Sequence, residues 1–502
     1  VIRRHLRAVT RSLLPGGDLE TRTVRSGVWL TALNVSRRAL ELLALLVLAR
    51  LLTPDDFGLL GIALLTLTGL ERFSNLGLTS ALIQRAEDDV DQYLDSAFTL
   101  QVARGLLLAA LVVALAGPAA TFFGEPAVRP ILIVVALTPI LTALENPGCI
   151  YFQKDLEFHK QFVFLLSTSL SYVIVTIALA FVLGNVWAMV FGKVVSEAVQ
   201  TVVSYLIHDF RPSLSFEREP AMALINYGKW LTASGFIYFL ADEGDDFVVG
   251  WLLSAASLGF YRLAYRLALT PVSEVTGVVS TVMFPAYSKI QDDIPAIRSG
   301  FLRTLQLTTA LTLPIGAGII AVAPVFVEGV LGAQWTPMVI ALQILALYGV
   351  FVSVTASFHP VWLAIGHPDY GAKIGLVRVI VMAAVIYPAT IRYGLLGTGG
   401  SVLFAYVVGG LPLDLYLARS QLELSLGRFF GVLAYPTAAA GAMGAVVWVV
   451  RDTVDLGLPL VELAVLVALG VVCYVAFGLA LARGVGWGIE GDIRRLAGAF
   501  GD

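Results

Sequence analysis

The stretch SGVWLTALNVSRRALELLALLVLARL, residues 26–51, decides how the chain is read. A helix needs roughly 20 largely apolar residues to cross a bilayer, and this stretch supplies them. Yet Arg37, Arg38 and Glu41 stand about 11 to 15 residues in, which at about 1.5 Å per residue is near the midplane. An ionised group there costs several kcal/mol unless it is paired or faces water. A plain membrane anchor has no use for such groups, so the stretch reads as part of a transporter.

Outward from it, the chain has 502 residues, 58% hydrophobic and 14% charged, with a mean hydropathy of +0.84. That is more apolar surface than a soluble core of this length buries, and a bilayer is the remaining solvent. The hydropathy predicts an all-α polytopic membrane protein of about fourteen spans. Six of them, at about 26–51, 57–82, 96–117, 127–147, 162–183 and 186–208, precede the polar segment His208 to Pro220. Eight follow, at about 227–252, 258–283, 302–329, 337–360, 373–391, 397–418, 430–450 and 460–482. The expected organisation is a basic arm (1–25), a first lobe of spans 1–6 (26–208), a linker (209–226), a second lobe of spans 7–12 (227–418), an extra helix pair (419–483) and a tail (484–502).

Alternating the segments between spans puts twenty Lys and Arg on the side of the N-terminus and only Arg129, Arg392 and Arg451 on the other. The positive-inside rule then predicts both termini in the cytoplasm and a multi-pass protein of the cytoplasmic membrane. The arm, with Arg3, Arg4, Arg7 and Arg11, has no short apolar run before a cleavage site, so span 1 reads as a retained helix.

Shifted by 201 residues, Gly27-Val28-Trp29-Leu30-Thr31-Ala32 aligns with Gly228-Lys229-Trp230-Leu231-Thr232-Ala233, and Gly58 with Gly259. Register held over a helix, its loop and the next helix argues for duplication. Six spans separate the copies, an even number. Both halves then enter from the same side, as in parallel-repeat transporters, around a central cavity. The offset also moves Asp242-Glu243-Gly244-Asp245-Asp246 from an apparent loop into span 7.

Charges at depth are the candidate site. In span 1, Arg37 and Glu41 are spaced for an i, i+4 pair, which leaves Arg38 about 100° around the helix. In span 8, Arg262 and Arg266 share a face beside Tyr261 and Tyr265, with Pro271 to kink the helix beyond them. Two guanidiniums aimed one way suit a phosphate or pyrophosphate. The alternative is a salt-bridge ladder in which Asp246 and Asp242 meet Arg262 and Arg266. Asp242, Asp245 and Asp246 cannot all stay ionised together without cations nearby, so they serve either those arginines or a transported Na⁺ or H⁺.

Glu71 with Arg72, the Lys193 and Glu197 pair, and Lys229 complete the set, Lys229 being placed to snorkel. Arg104 and Arg378 are also placed to snorkel, whereas Glu145, Glu274 and Asp414 have no evident partner. Spans 9–14 look almost uncharged at depth.

The net charge of −3 argues against nucleic acid as a partner. Cys149 and Cys473 fit neither a disulfide nor a metal pattern, and no cofactor motif is evident. A Walker-type loop and an HExxH motif are absent from the sequence.

The strings Ala49-Arg50-Leu51-Leu52-Thr53-Pro54-Asp55-Asp56-Phe57-Gly58, Gly259-Phe260-Tyr261-Arg262-Leu263-Ala264 and Phe284-Pro285-Ala286-Tyr287-Ser288-Lys289-Ile290-Gln291 carry a resemblance. The chain resembles the polysaccharide exporters, of the O-antigen and colanic-acid type, of the multidrug/oligosaccharidyl-lipid/polysaccharide (MOP) flippase superfamily. The resemblance implies a non-enzymatic flippase that moves a polyprenyl-(pyro)phosphate-linked oligosaccharide by alternating access, its lipid tail staying among the membrane lipids. It implies coupling to an ion gradient or the membrane potential, and polysaccharide-assembly enzymes as candidate partners. Arg37, Arg38, Arg262 and Arg266, with Arg72 and Lys229 behind them, become the phosphate-binding candidates. A cation-coupled multidrug-type exporter is the runner-up, and would favour a more acidic, aromatic cavity. A membrane-embedded glycosyltransferase would need larger outer loops than the sequence has.

Overall fold

The computed structural model describes residues 19–74, 77, 82, 91–217, 222, 239–453 and 457–485, and among them the chain is helices and short connections, without a strand. The expected all-α membrane class holds. Lys229, the second copy of the repeat at Gly228–Ala233, most of the basic arm and most of the tail lie outside the described residues. The chain divides into two compact units, Val1–Asp242 and Glu243–Asp502.

The first unit opens with α1 (Leu19–Leu51) and α2 (Pro54–Phe73). Their turn is built by sequence chemistry. Proline at N1 needs no amide partner, and Thr53 with Asp56 forms a capping box. Asp56 Oδ2 accepts from Thr53 N at 2.9 Å and from Thr53 Oγ1 at 2.7 Å. Its other oxygen accepts from Val186 N at 2.8 Å, so one buried side chain ties the ends of three helices.

α2 stops at Phe73, short of the expected 82. Ser74 N–H turns back onto Glu71 O at 3.2 Å, and Gly77 is left-handed with φ 57. From α3 (Asp91–Phe122), Arg104 donates to Ser74 O at 2.7 Å and Glu71 O at 3.2 Å, capping the carbonyls that the break exposes.

The fourth expected span is likewise broken. α4 (Val128–Val135) and α5 (Leu137–Ala143) are followed, after a 71° bend, by a short 3-10 turn and α6 (Tyr151–Lys154). Asn146 starts the new direction by accepting from Gly148 N at 2.9 Å, with Pro147 between them. α7 (Phe158–Leu183) and α8 (Trp187–Ile207) then pair closely around left-handed Gly184. At Gly192 any Cβ would overlap the Thr176 side chain.

After α8 the first part of the linker runs extended along α3. Ser213 N donates to Asp95 at 2.7 Å, Thr99 donates to Ser215 O at 2.8 Å, and Asn146 donates to Phe210 O at 2.7 Å.

The division between units falls within helix α9 (239–252). The second unit continues with α10 (Ala255–Ser288), α11 (Ile294–Phe326), α12 (Val339–Ala356) and α13 (His359–Ala364). Next come α14 (Pro368–Phe404), a π-turn at Ala405–Gly410 and α15 (Leu411–Gln421). α16 (Leu426–Thr453) and α17 (Pro459–Val485) close it. α14 contains two expected spans joined with almost no loop, because Gly394 alone reverses the chain at φ 57, ψ −135. Tyr287, Phe301, Phe358, Trp362 and Phe429 bring α10, α11, α13 and α16 together in one buried aromatic core.

Among the described residues, nine helices are long and apolar enough to cross a membrane, or ten if the bent pair is one span. The expected fourteen are not all counted, for physical reasons. α1 and α2 carry too many ionised side chains, the Gly394 hairpin merges two spans, and part of span 7 lies outside the described residues.

Candidate functional site

In α1 the pairing differs from the expected one. Arg38 Nη1 reaches Glu41 Oε2 at 3.3 Å, one turn away at i, i+3. Arg37 is partly buried, its Nε has no hydrogen-bond partner, and no ion pair to it exists among the described residues. The carboxylate therefore serves the neighbouring arginine, and Arg37 keeps a charge available near the middle of its helix.

Glu71 and Arg72 lie in the last turn of α2. Glu71 is partly buried, within the electrostatic reach of Arg104 and Lys193. Lys193 and Glu197 form the expected i, i+4 pair on α8, and Thr142 Oγ1 donates to the second Glu197 oxygen at 3.2 Å. Arg104 does not snorkel as expected. Its guanidinium is held by carbonyls at the end of α2.

On α9, Asp242 is exposed whereas Asp245 and Asp246 are buried. Arg262 Nε meets Asp246 Oδ2 at 3.1 Å and its Nη2 lies 3.6 Å from Glu243 Oε2. One rung of the expected ladder is thus present, with Glu243 as a second carboxylate that the sequence reading passed over. Its spacing of three from Asp246 was the available signal, since i and i+3 share a face. Asp245 has a different partner, the buried Tyr261, whose hydroxyl donates to Oδ2 at 2.8 Å. Arg266 is exposed.

The second unit also holds a charge pair, its carboxylate buried, that the sequence reading missed. Arg378 on α14 neither snorkels nor stands alone. Its Nη2 lies 3.2 Å from Asp414 Oδ2, and its guanidinium sits 4.1 Å over the Tyr406 ring. Trp362 Nε1 donates to Asp414 Oδ1 at 3.2 Å, so the buried carboxylate that seemed unpartnered has two partners. Arg378 and Gly410 each lie sixteen residues from Gly394, which sets them level in the hairpin. A Cβ at Gly410 would collide with the guanidinium, so any larger residue there has to displace it. Beyond Tyr406, the Tyr348 and Tyr265 rings continue at centroid separations of 4.9 and 6.2 Å.

Among the described residues no group of His, Cys, Asp and Glu is arranged to hold a metal ion. The charged side chains gathered in these clusters are arginines, carboxylates and one lysine.

Known proteins resemble the chain in sequence and in fold. The lipopolysaccharide biosynthesis protein WzxC of Escherichia coli (strain K12) is 25% identical over 393 residues, 78% of this chain and 80% of that protein. The succinoglycan biosynthesis transport protein ExoT of Rhizobium meliloti (strain 1021) is 26% identical, over 74% of this chain and 75% of its own. Among solved structures, the lipid II flippase MurJ in an inward closed conformation superposes with a TM-score of 0.74 at 16% identity, over 91% of this chain and 99% of that one. An inward-facing multidrug MATE transporter of the MOP superfamily gives 0.62 at 14% identity, over 77% and 94%. The fold is the one these transporters share. Residues 47–340, more than half of the chain, match the family described as polysaccharide biosynthesis protein, and the chain belongs to that family.

Proposed function

We propose that the chain is a flippase for a lipid-linked oligosaccharide, carrying a polyprenyl-(pyro)phosphate-linked saccharide across the cytoplasmic membrane by alternating access with both termini in the cytoplasm. It makes and breaks no covalent bond. The observation that carries this reading is Arg37. A guanidinium near the middle of a spanning helix, without a carboxylate partner among the described residues, calls for an anion during the working cycle. The relatives, named for polysaccharide biosynthesis and transport, and the MurJ-like fold point to the same cargo class.

Arg37 is the principal phosphate ligand in this reading, and Arg266, exposed on α10, is a further candidate. Arg38 and Arg262, which already have carboxylates, tune the field around them. Asp245 and Asp246, with Asp242 above them, are the candidate coupling groups through which an ion gradient acts. Arg262 then serves as the internal cation that a transported Na⁺ or H⁺ would relieve. Assembly enzymes that deliver or accept the saccharide would dock at the cytoplasmic arms.

The test is flipping of a lipid-linked oligosaccharide in reconstituted vesicles. Losing a charge-assisted hydrogen bond costs about 1.5–3 kcal/mol, or about ten- to a hundredfold in binding. Arg37→Ala should lower flipping by that order at matched protein amounts, and Arg38→Ala by much less. Equal rates in the parent and Arg37→Ala would overturn the phosphate role.

A further inference from the structure

The break in the fourth span leaves a carboxylate where a helix accommodates one poorly. Glu145 lies just past the C-terminal end of α5, at the negative end of the helix dipole. It is partly buried, and Gln200 Nε2 donates to its Oε1 at 2.8 Å. In that orientation the amide's own oxygen accepts from Thr168 Oγ1 at 2.8 Å. One turn away on α8 stands Glu197, whose two oxygens are occupied by Lys193 and Thr142.

The charged groups acting on Glu145 are Glu197 and Lys193. Behind them, α2 presents Glu71 and Arg72, and α3 presents Arg104, already engaged with α2 carbonyls. α7 contributes the neutral Thr168 hydroxyl, and the Cys149 thiol stands beyond the break. Two carboxylates therefore share one ammonium. Lys193 is committed to Glu197, and Glu145 has only an amide.

We propose that Glu145, backed by the Glu197 and Lys193 pair, is an exchangeable-proton site in the first unit, distinct from the α9 carboxylates. Two carboxylates that repel one another and share one cation cannot both stay ionised at low dielectric. The missing positive charge is a proton rather than a metal ion, because the groups turned toward Glu145 are donors. A metal ion needs several oxygens, whereas the amide presents its N–H and the neighbouring Lys193 is itself a cation. A proton needs only Oε2, the oxygen that Gln200 leaves open. Exchange is the loss of that proton from the Oε2–H bond to water, leaving the carboxylate, and its return from water. The use of this proton to drive transport rests on the flippase reading, but the site does not.

Infrared difference spectroscopy of the purified full chain in nanodiscs, across a pH step, reads the site without substrate. The expected result is a protonated-carboxyl C=O band that titrates in the parent, is lost in Glu145→Gln and shifts in frequency in Glu145→Asp. A band unchanged in both variants, or no titrating carboxyl band in the parent, overturns the proposal. Should Glu145→Gln fold poorly, the frequency shift in Glu145→Asp decides alone. Flipping under an imposed pH gradient then tests the use of the proton. A band that maps to Glu145 without stimulation by the gradient keeps the site and removes only its coupling to transport.

Discussion

Arg378 shows how much a single side chain can depend on a residue that has none. Its guanidinium lies where a Cβ of Gly410 would be, between Tyr406 and Asp414. Gly410→Ala should therefore expel it and reproduce Arg378→Ala. Removing one partner of a buried pair costs about 3–5 kcal/mol. Both variants should show a marked and similar loss of melting temperature in detergent, while Gly431→Ala, where a Cβ meets open space, should melt like the parent. A Gly410→Ala protein as stable as the parent would refute the packing argument. At this scale the sequence was half legible. It singled out Arg37, Arg38, Glu41, Lys193 and Glu197, because ionised letters inside apolar runs are conspicuous. It offered Glu41 to Arg37 without settling the pairing, because i+3 and i+4 are both within reach and rotamers decide between them. It also left Glu145 and Asp414 alone, since their partners arrive from other helices.

Among the elements, the strap from His208 to Glu217 is a place where a linker becomes structure. His208 Nδ1 accepts from Phe210 N at 3.1 Å, and its ring stacks on Tyr151 with centroids 5.9 Å apart. Burial, and then the Lys160 ammonium, hold His208 below its ordinary value of 6.5. A base depressed in this way is neutral in the fold, so its contribution is complete above the unfolded value. That contribution is lost as pH falls toward the folded one, when the unfolded chain takes up the proton first. Protonation also removes the acceptor for Phe210 N. The melting temperature should fall between about pH 7.5 and about pH 5.5, and it should fall less in His208→Gln. Equal pH dependence in the two would remove His208 from the account. The sequence marked this segment as polar and could not show it bound, because the acceptors on α3 and beside Asn146 lie far away along the chain. The breaks at Ser74 and Glu145 were hidden for a related reason. Hydropathy reads through a bend if the residues on either side stay apolar.

For the whole molecule, composition alone settled the class, since so apolar a chain has no soluble alternative. Charge asymmetry adds an orientation that can be measured. With Cys149 and Cys473 replaced by serine, a cysteine at Ala127 should react with an impermeant maleimide from outside intact cells, and one at Ser425 only after the membrane is opened. The reverse pattern would invert the predicted topology and with it the direction of transport. The repeat predicts two lobes, and its second copy lies outside the described residues. The number of spans was harder to read, because the charges that mark α1 and α2 as working helices also lower the apolar signal by which spans are counted.

The turn Thr53-Pro54-Asp55-Asp56-Phe57-Gly58 is among the strings by which the chain resembles its family, and its chemistry is now specific. Proline presets a helix start, threonine and aspartate close a cap, and the remaining aspartate oxygen fastens the entrance of α8. Every one of these tasks concerns folding, and none of the atoms involved is needed to touch cargo. A search keyed on this turn would gather proteins that are assembled alike whatever they carry. The identity of the sugar has to be sought elsewhere, in less recognisable residues.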